Sequence, residues 1–181
     1  MRLFKNVDIC DIESILTLGI LPAAELGRDN WDAGRRAANS REVVYLHDSP
    51  EGASFTRYGA ALVEVETDAR VNEMCANDVN RGLYTEYVCD RVPPAAIVAV
   101  WVPREIVDKV PCDDPRVKGC GIVAQVFDDA ANDYVEAGAE VLQQFFKTAP
   151  VVSTEYFNFF RGMNEDRTMI DLKNVKYIRE V

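Results

Sequence analysis

The stretch YTEYVCDRVPPAAIVAVWVP, Tyr84 to Pro103, places one carboxylate, Glu86, at the head of an extended apolar run. The run breaks at Pro93-Pro94 and resumes as a second strand-like segment. A strand-end carboxylate ordinarily faces solvent, so the chemistry of Glu86 depends on what the rest of the chain sets beside it. His47, the only histidine, is the side chain best suited to acid–base work near neutrality. The sequence gives it neither a partner carboxylate nor a nucleophile, which reads it as a polar residue ending a strand. Cys75 and Cys89 flank Glu86, and no electropositive segment adjoins them to generate a thiolate, so both read as structural. The five cysteines, Cys10, Cys75, Cys89, Cys112 and Cys120, form an odd set with no C-x-x-C pair. That usage fits a reducing, cytoplasmic setting and argues against a metal site.

The elements that must position these residues follow from periodicity and punctuation. RLFKNVDI alternates as a strand. Asp11 caps a short helix with Ile12, Ile15 and Leu16 on one face, and Gly19 stops it. Ile20 to Arg41 reads mostly as loop, and Glu42 to His47 as a strand rich in β-branched and aromatic residues. A second helix is expected from Ser49 and Pro50 to Gly59. AALVEVET then alternates as a half-buried strand, and DARVNEMCANDVNRGL is polar and irregular. After Pro103, REIVDKVPCDDPRVKGCG reads as turn-rich. Tyr134, Gly138, Val141, Leu142, Phe145 and Phe146 recur at helical spacing, which predicts the longest helix over Asp128 to Thr148, behind an Asp cap. APVVSTEYFNFFRGM holds an aromatic cluster read as core, and TMIDLKNVKYIREV reads as one or two strands. The expectation is a single α+β domain over 1–181, with a motif-bearing core at 1–104 and an extension at 105–181 that completes the fold.

Composition narrows the function classes. The 181 residues, 48% hydrophobic, are enough to bury a core. Thirty acidic against twenty basic residues give a net charge of −10, and the pI is about 4.6. Phosphate binding needs clustered Lys and Arg, and only Gly34-Arg35-Arg36 hints at such a cluster. Nucleic acid is therefore a disfavoured partner. The acidity reads first as solubility, and alternatively as a match to a basic partner surface. No apolar run reaches bilayer length, and MRLFKNVDIC does not read as a secretion signal.

Three segments now stand in order: LFKNVDICDIESILTLGIL, VVYLHDSPEGAS and TEYVCDRVPPAAIVAVWVP. Together they resemble the three motif regions of the ADP-ribosyltransferase fold, in its His-Tyr-Glu branch, and look most like DarT-type enzymes. Phe4-Lys5, DIESIL and GIL fill the positions of the family's aromatic-His pair, NLxSIL helix and GLL end. Arg35 or Arg36 matches its loop arginine, and Glu86 to Val100 reproduces its glutamate-strand-proline-strand layout. The resemblance covers roughly the first hundred residues. Lys5 stands where the family has His, a residue that helps hold the adenosine part of NAD.

The resemblance implies a split β-sheet with flanking helices and NAD, as substrate, in the crevice between its halves. Tyr45 and Glu86 would face each other across that crevice, together with the Phe4–Lys5–Asn6 strand. Glu86 would be catalytic; Phe4, Lys5, Asn6, Arg35, Arg36 and Tyr45 would bind NAD. Cleaving the nicotinamide–ribose bond gathers positive charge on the ribose, which a strand-held carboxylate can stabilise while holding the 2′-hydroxyl. An aromatic ring can stack on nicotinamide, and an arginine can pair with pyrophosphate. Each residue also has a plainer reading: Tyr45 as core, Lys5 facing water, the arginines as a solvated loop pair. The resulting expectation is an NAD-dependent mono-ADP-ribosyltransferase, a toxin or effector acting on a protein target. Two alternatives stay open: an acidic binding or inhibitor protein that keeps the fold without turnover, and a transferase acting on DNA bases.

Overall fold

The computed structural model describes residues 1–27, 40–50, 58–72, 85–148 and 172–178. These form strands β1 (Arg2–Val7), β2 (Val44–His47), β3 (Ala61–Glu66), β4 (Arg70–Val71), β5 (Glu86–Cys89), β6 (Ile97–Pro103), β7 (Val117–Asp128), β8 (Asp133–Glu136) and β9 (Leu172–Ile178). Helices α1 (Ile12–Leu18) and α2 (Ala139–Thr148) and short 3-10 turns accompany these strands among the described residues of a mixed α+β protein dominated by sheet. No helix among the described residues is long and apolar enough to cross a membrane.

The chain groups into two compact units. The first takes Met1–Lys5, Glu13–Ser49 and Val63–Ala99, and the second Asn6–Ile12, Pro50–Leu62 and Val100–Val181. In the first unit the strands run β4-β5-β2-β1, each pair antiparallel. The helix α1 buries the three residues its spacing singled out, Ile12, Ile15 and Leu16. It ends at Gly19, whose φ of +86° only glycine adopts readily and whose N–H returns to the Ile15 carbonyl at 2.8 Å. Ile20 and Val92 then exchange backbone hydrogen bonds at 2.9 and 3.0 Å. This bridge pins the end of α1 to the chain just beyond β5, ahead of Pro93-Pro94.

β3 departs from expectation. Its alternation predicts a half-buried strand, yet Ala61 to Val65 are all buried. Both faces of this strand are covered, and the buried Glu64 is accommodated because Arg2 Nε reaches its Oε1 at 2.9 Å.

The second unit corrects two more expectations. The segment read as turn-rich includes the start of β7, which runs for twelve residues and pairs in parallel with β6 and antiparallel with β8 and β9. The long helix expected from Asp128 is a hairpin followed by a shorter helix. Asp128 Oδ1 accepts the N–H groups of Ala130 and Ala131 at 2.8 and 3.3 Å, and Asn132 adopts φ +51°. That local bonding turns the chain before a helix can nucleate. Tyr134 therefore lies in β8 against Phe127, while Leu142, Phe145 and Phe146 are buried from α2. The expected helix over Ser49–Gly59 and the aromatic cluster of 149–163 fall largely or wholly outside the described residues.

Candidate functional site

The register of the first unit builds one continuous row of side chains. Phe4 of β1 pairs with His47 of β2, and His47 pairs with Glu86 of β5. Asn72, one residue past β4, donates its backbone N–H to the Glu86 carbonyl at 2.8 Å and is the next rung. Directly opposed residues of antiparallel strands share a face, so Phe4, His47, Glu86 and Asn72 project together. Tyr45, two residues from His47, shares that face opposite Val88.

This corrects the expected placement of Tyr45 and Glu86. They do not oppose each other across a crevice; they are diagonal neighbours on adjacent strands of one sheet. Such pairs stand about 7–8 Å apart, within reach of a ring and a long side chain.

Glu86 is half-buried and doubly held by Asn72: besides the backbone bond, Asn72 Nδ2 donates to Glu86 Oε1 at 2.7 Å. The approach to β5 is fixed by Asp48, whose Oδ1 accepts the Thr85 N–H at 2.8 Å and whose own N–H returns to the Thr85 carbonyl. Tyr45 is tied at its far end, its hydroxyl accepting from Ser40 N at 2.7 Å and donating to the Ser40 carbonyl at 3.2 Å.

Lys5 comes from β1 to the same neighbourhood, its Nζ donating to the Tyr45 carbonyl at 3.2 Å. Burial pushes its pKa below the ordinary lysine value, against the opposing pull of Glu86 and Cys89 nearby. Lys5 is half-buried, with its Nζ turned to the Tyr45 carbonyl rather than wholly to water. The Cys89 thiol is raised by burial and by Asp90, which makes it a poor nucleophile.

His47 is 7% exposed, with its ring against Phe4 at 6.3 Å between centroids. Burial, helped by the charge of Lys5, lowers its pKa to about 4, although the Ser49 carbonyl and Asp48 pull the other way. Its Nδ1 bonds the Ser49 carbonyl. A carbonyl only accepts, so Nδ1 carries the hydrogen and Nε2 is the acceptor nitrogen of a ring that stays neutral at pH 7.

Of the residues singled out in the sequence, Glu86, Tyr45, Lys5 and Phe4 converge here, Phe4 as a buried ring beneath His47. Asn6 belongs to the second unit and is spent on structure: Nδ2 donates to the Gly59 carbonyl at 3.4 Å and to Tyr177 Oη at 3.2 Å. Arg35 and Arg36 lie outside the described residues. Among the described residues no group of three or more His, Cys, Asp or Glu could hold a metal ion.

Sequence reasoning missed His47 and Asn72 as neighbours of Glu86. Strand composition locates β2 and β5 but not their register, and the segment holding Asn72 looks irregular because β4 is two residues long.

No protein-family model, no curated protein and no solved structure matches this chain.

Proposed function

We propose that the chain is an NAD-dependent mono-ADP-ribosyltransferase acting on a macromolecular acceptor, a protein in preference to DNA. The observation that carries this reading is Glu86: a carboxylate on a strand, held by hydrogen bonds, in one row with His47 and on the face that also carries Tyr45. The resemblance of the three motif segments adds the cofactor-like substrate, NAD.

In the reaction the bond between ribose C1′ and the nicotinamide nitrogen breaks, and nicotinamide leaves with the bonding electrons. The acceptor's nucleophilic atom forms the new bond to C1′ and loses its proton to solvent. Glu86 would hold the ribose 2′-hydroxyl and stabilise the positive charge on the ribose as it develops. The Tyr45 ring, fixed at its hydroxyl by Ser40, would stack on the nicotinamide and orient it. The net charge of −10 favours a basic protein surface over a phosphate backbone as the acceptor's setting.

Labelled NAD incubated with the protein and cell lysate tests the reading. Glu86→Gln keeps the side chain's size and loses its charge. It should bind NAD as wild type does while transfer and nicotinamide release fall about 10²- to 10³-fold. Undiminished transfer would mean that another carboxylate does the work.

A second reading follows from Lys5. Its Nζ already serves the Tyr45 carbonyl, where the family's His touches adenosine. That suits a binding or inhibitor protein without turnover, in which wild type and Glu86→Gln would both leave NAD intact and engage a partner equally.

A further inference from the structure

We infer that Asn72 is the positioning residue of Glu86, fixing the rotation of its carboxylate and donating a hydrogen bond to its charge; the inference rests on the transferase reading. Two contacts from one residue reach both ends of Glu86. The Asn72 backbone N–H takes the Glu86 carbonyl at 2.8 Å, and Nδ2 takes Oε1 at 2.7 Å.

The strand pairing explains why Asn72 stands there. Arg70 and Val71 pair with Val88 and Tyr87, so the next rung sets residue 72 beside residue 86. On the other side the rung belongs to His47. Glu86 is thus bracketed between an amide and an imidazole, and the amide donates to its carboxylate.

The chemistry of the bracket is specific to asparagine. A glutamate has three rotatable side-chain bonds, and a carboxylate meant for a ribose must be oriented before the charge develops. A primary amide donates to the carboxylate without adding a charge that would compete with it. Aspartate in the same place would have the same shape, no donor and a second negative charge. Because the backbone bond survives every substitution except proline, the side chain can be removed while the rung of the sheet persists.

Steady-state NAD cleavage by the full chain tests this in wild type, Asn72→Ala, Asn72→Asp and Asn72→Gln. Asn72→Ala should lower kcat about 10- to 100-fold with KM for NAD within about threefold, because a displaced catalytic group loses rate more than binding. Asn72→Asp should lose at least as much, and Asn72→Gln, which keeps the amide, should recover part of the rate. The Asn72 side-chain amide resonance should also move in Glu86→Gln relative to wild type. A wild type that leaves NAD intact overturns the transferase reading itself. A wild type that cleaves NAD, with Asn72→Ala and Asn72→Asp matching its kcat, overturns the role of Asn72 alone. An amide resonance unmoved by Glu86→Gln overturns the contact.

Discussion

Acidification should destabilise this protein through His47, in a window that can be stated beforehand. Burial lowers the His47 pKa from 6.5 to about 4 in the folded chain, while the unfolded chain titrates near the ordinary value. Above pH 6.5 the ring is neutral in both states and stability does not respond to it. As pH falls below 6.5 the unfolded chain takes up a proton that the folded chain refuses until about pH 4. Stability is therefore lost across that window and levels off beneath it. Integrating the two titrations gives a loss of about 2 kcal/mol between pH 7 and pH 5, and about 3 kcal/mol by pH 4. Urea denaturation at pH 7 and pH 5 should show that loss in wild type. His47→Gln cannot titrate, so its loss over the same interval should be smaller by about 2 kcal/mol, whatever its absolute stability. Being the only histidine, His47 also gives a single imidazole Hε1 resonance. Its shift should stay constant from about pH 8 to pH 5.5 and move with a midpoint near 4. A midpoint between 6 and 7, or equal losses in wild type and His47→Gln, would refute the claim that burial holds this ring neutral.

The remaining predictions concern the supports of the two units. Gly19→Ala should destabilise by more than about 2 kcal/mol in urea denaturation. Its left-handed backbone costs an alanine about 1–2 kcal/mol, and the added Cβ would stand 2.1 Å from the Val92 carbonyl oxygen. Tyr177→Phe removes a hydroxyl that donates to the Ala60 carbonyl at 2.7 Å and accepts from Asn6 Nδ2 at 3.2 Å. Two buried polar groups then lose a partner, and a loss of about 2 kcal/mol is expected by the same measurement.

How far the site could be read from sequence was set by what one-dimensional patterns encode. Gly19, Ile12, Ile15 and Leu16 announced α1 because a helix writes its period and its stop locally. Glu86 announced itself by heading β5. Asp128 to Tyr134 misled because apolar spacing over the whole segment fits a helix, while the deciding bonds, Asp128 Oδ1 to the N–H groups of Ala130 and Ala131, are local. Asp-Asp-Ala-Ala-Asn-Asp carries turn chemistry that deserved more weight than the apolar period that follows it. Glu64 was unreadable for a different reason. Its alternation with Val63 and Val65 implies a solvent face, while its ion pair is with Arg2, far away in sequence.

Register was the larger loss, and Lys5 shows why. Alternation with Phe4 set its side chain apart from the row that Phe4 begins, and nothing in the sequence said what lay on that side. The sheet answers with the Tyr45 carbonyl, whose donor Lys5 supplies, and with Glu86 and Cys89 close enough to act on its charge. On the transferase reading this placement has a chemical consequence. A full positive charge beside Glu86 would oppose the charge that develops on the ribose. Burial works against that charge by lowering the lysine pKa. A lysine donates to the Tyr45 carbonyl in either protonation state, so the contact that steadies β2 does not depend on keeping the proton. Lys5 can therefore hold the Tyr45 carbonyl from the opposite side of the row that carries Glu86, whether or not it keeps its proton.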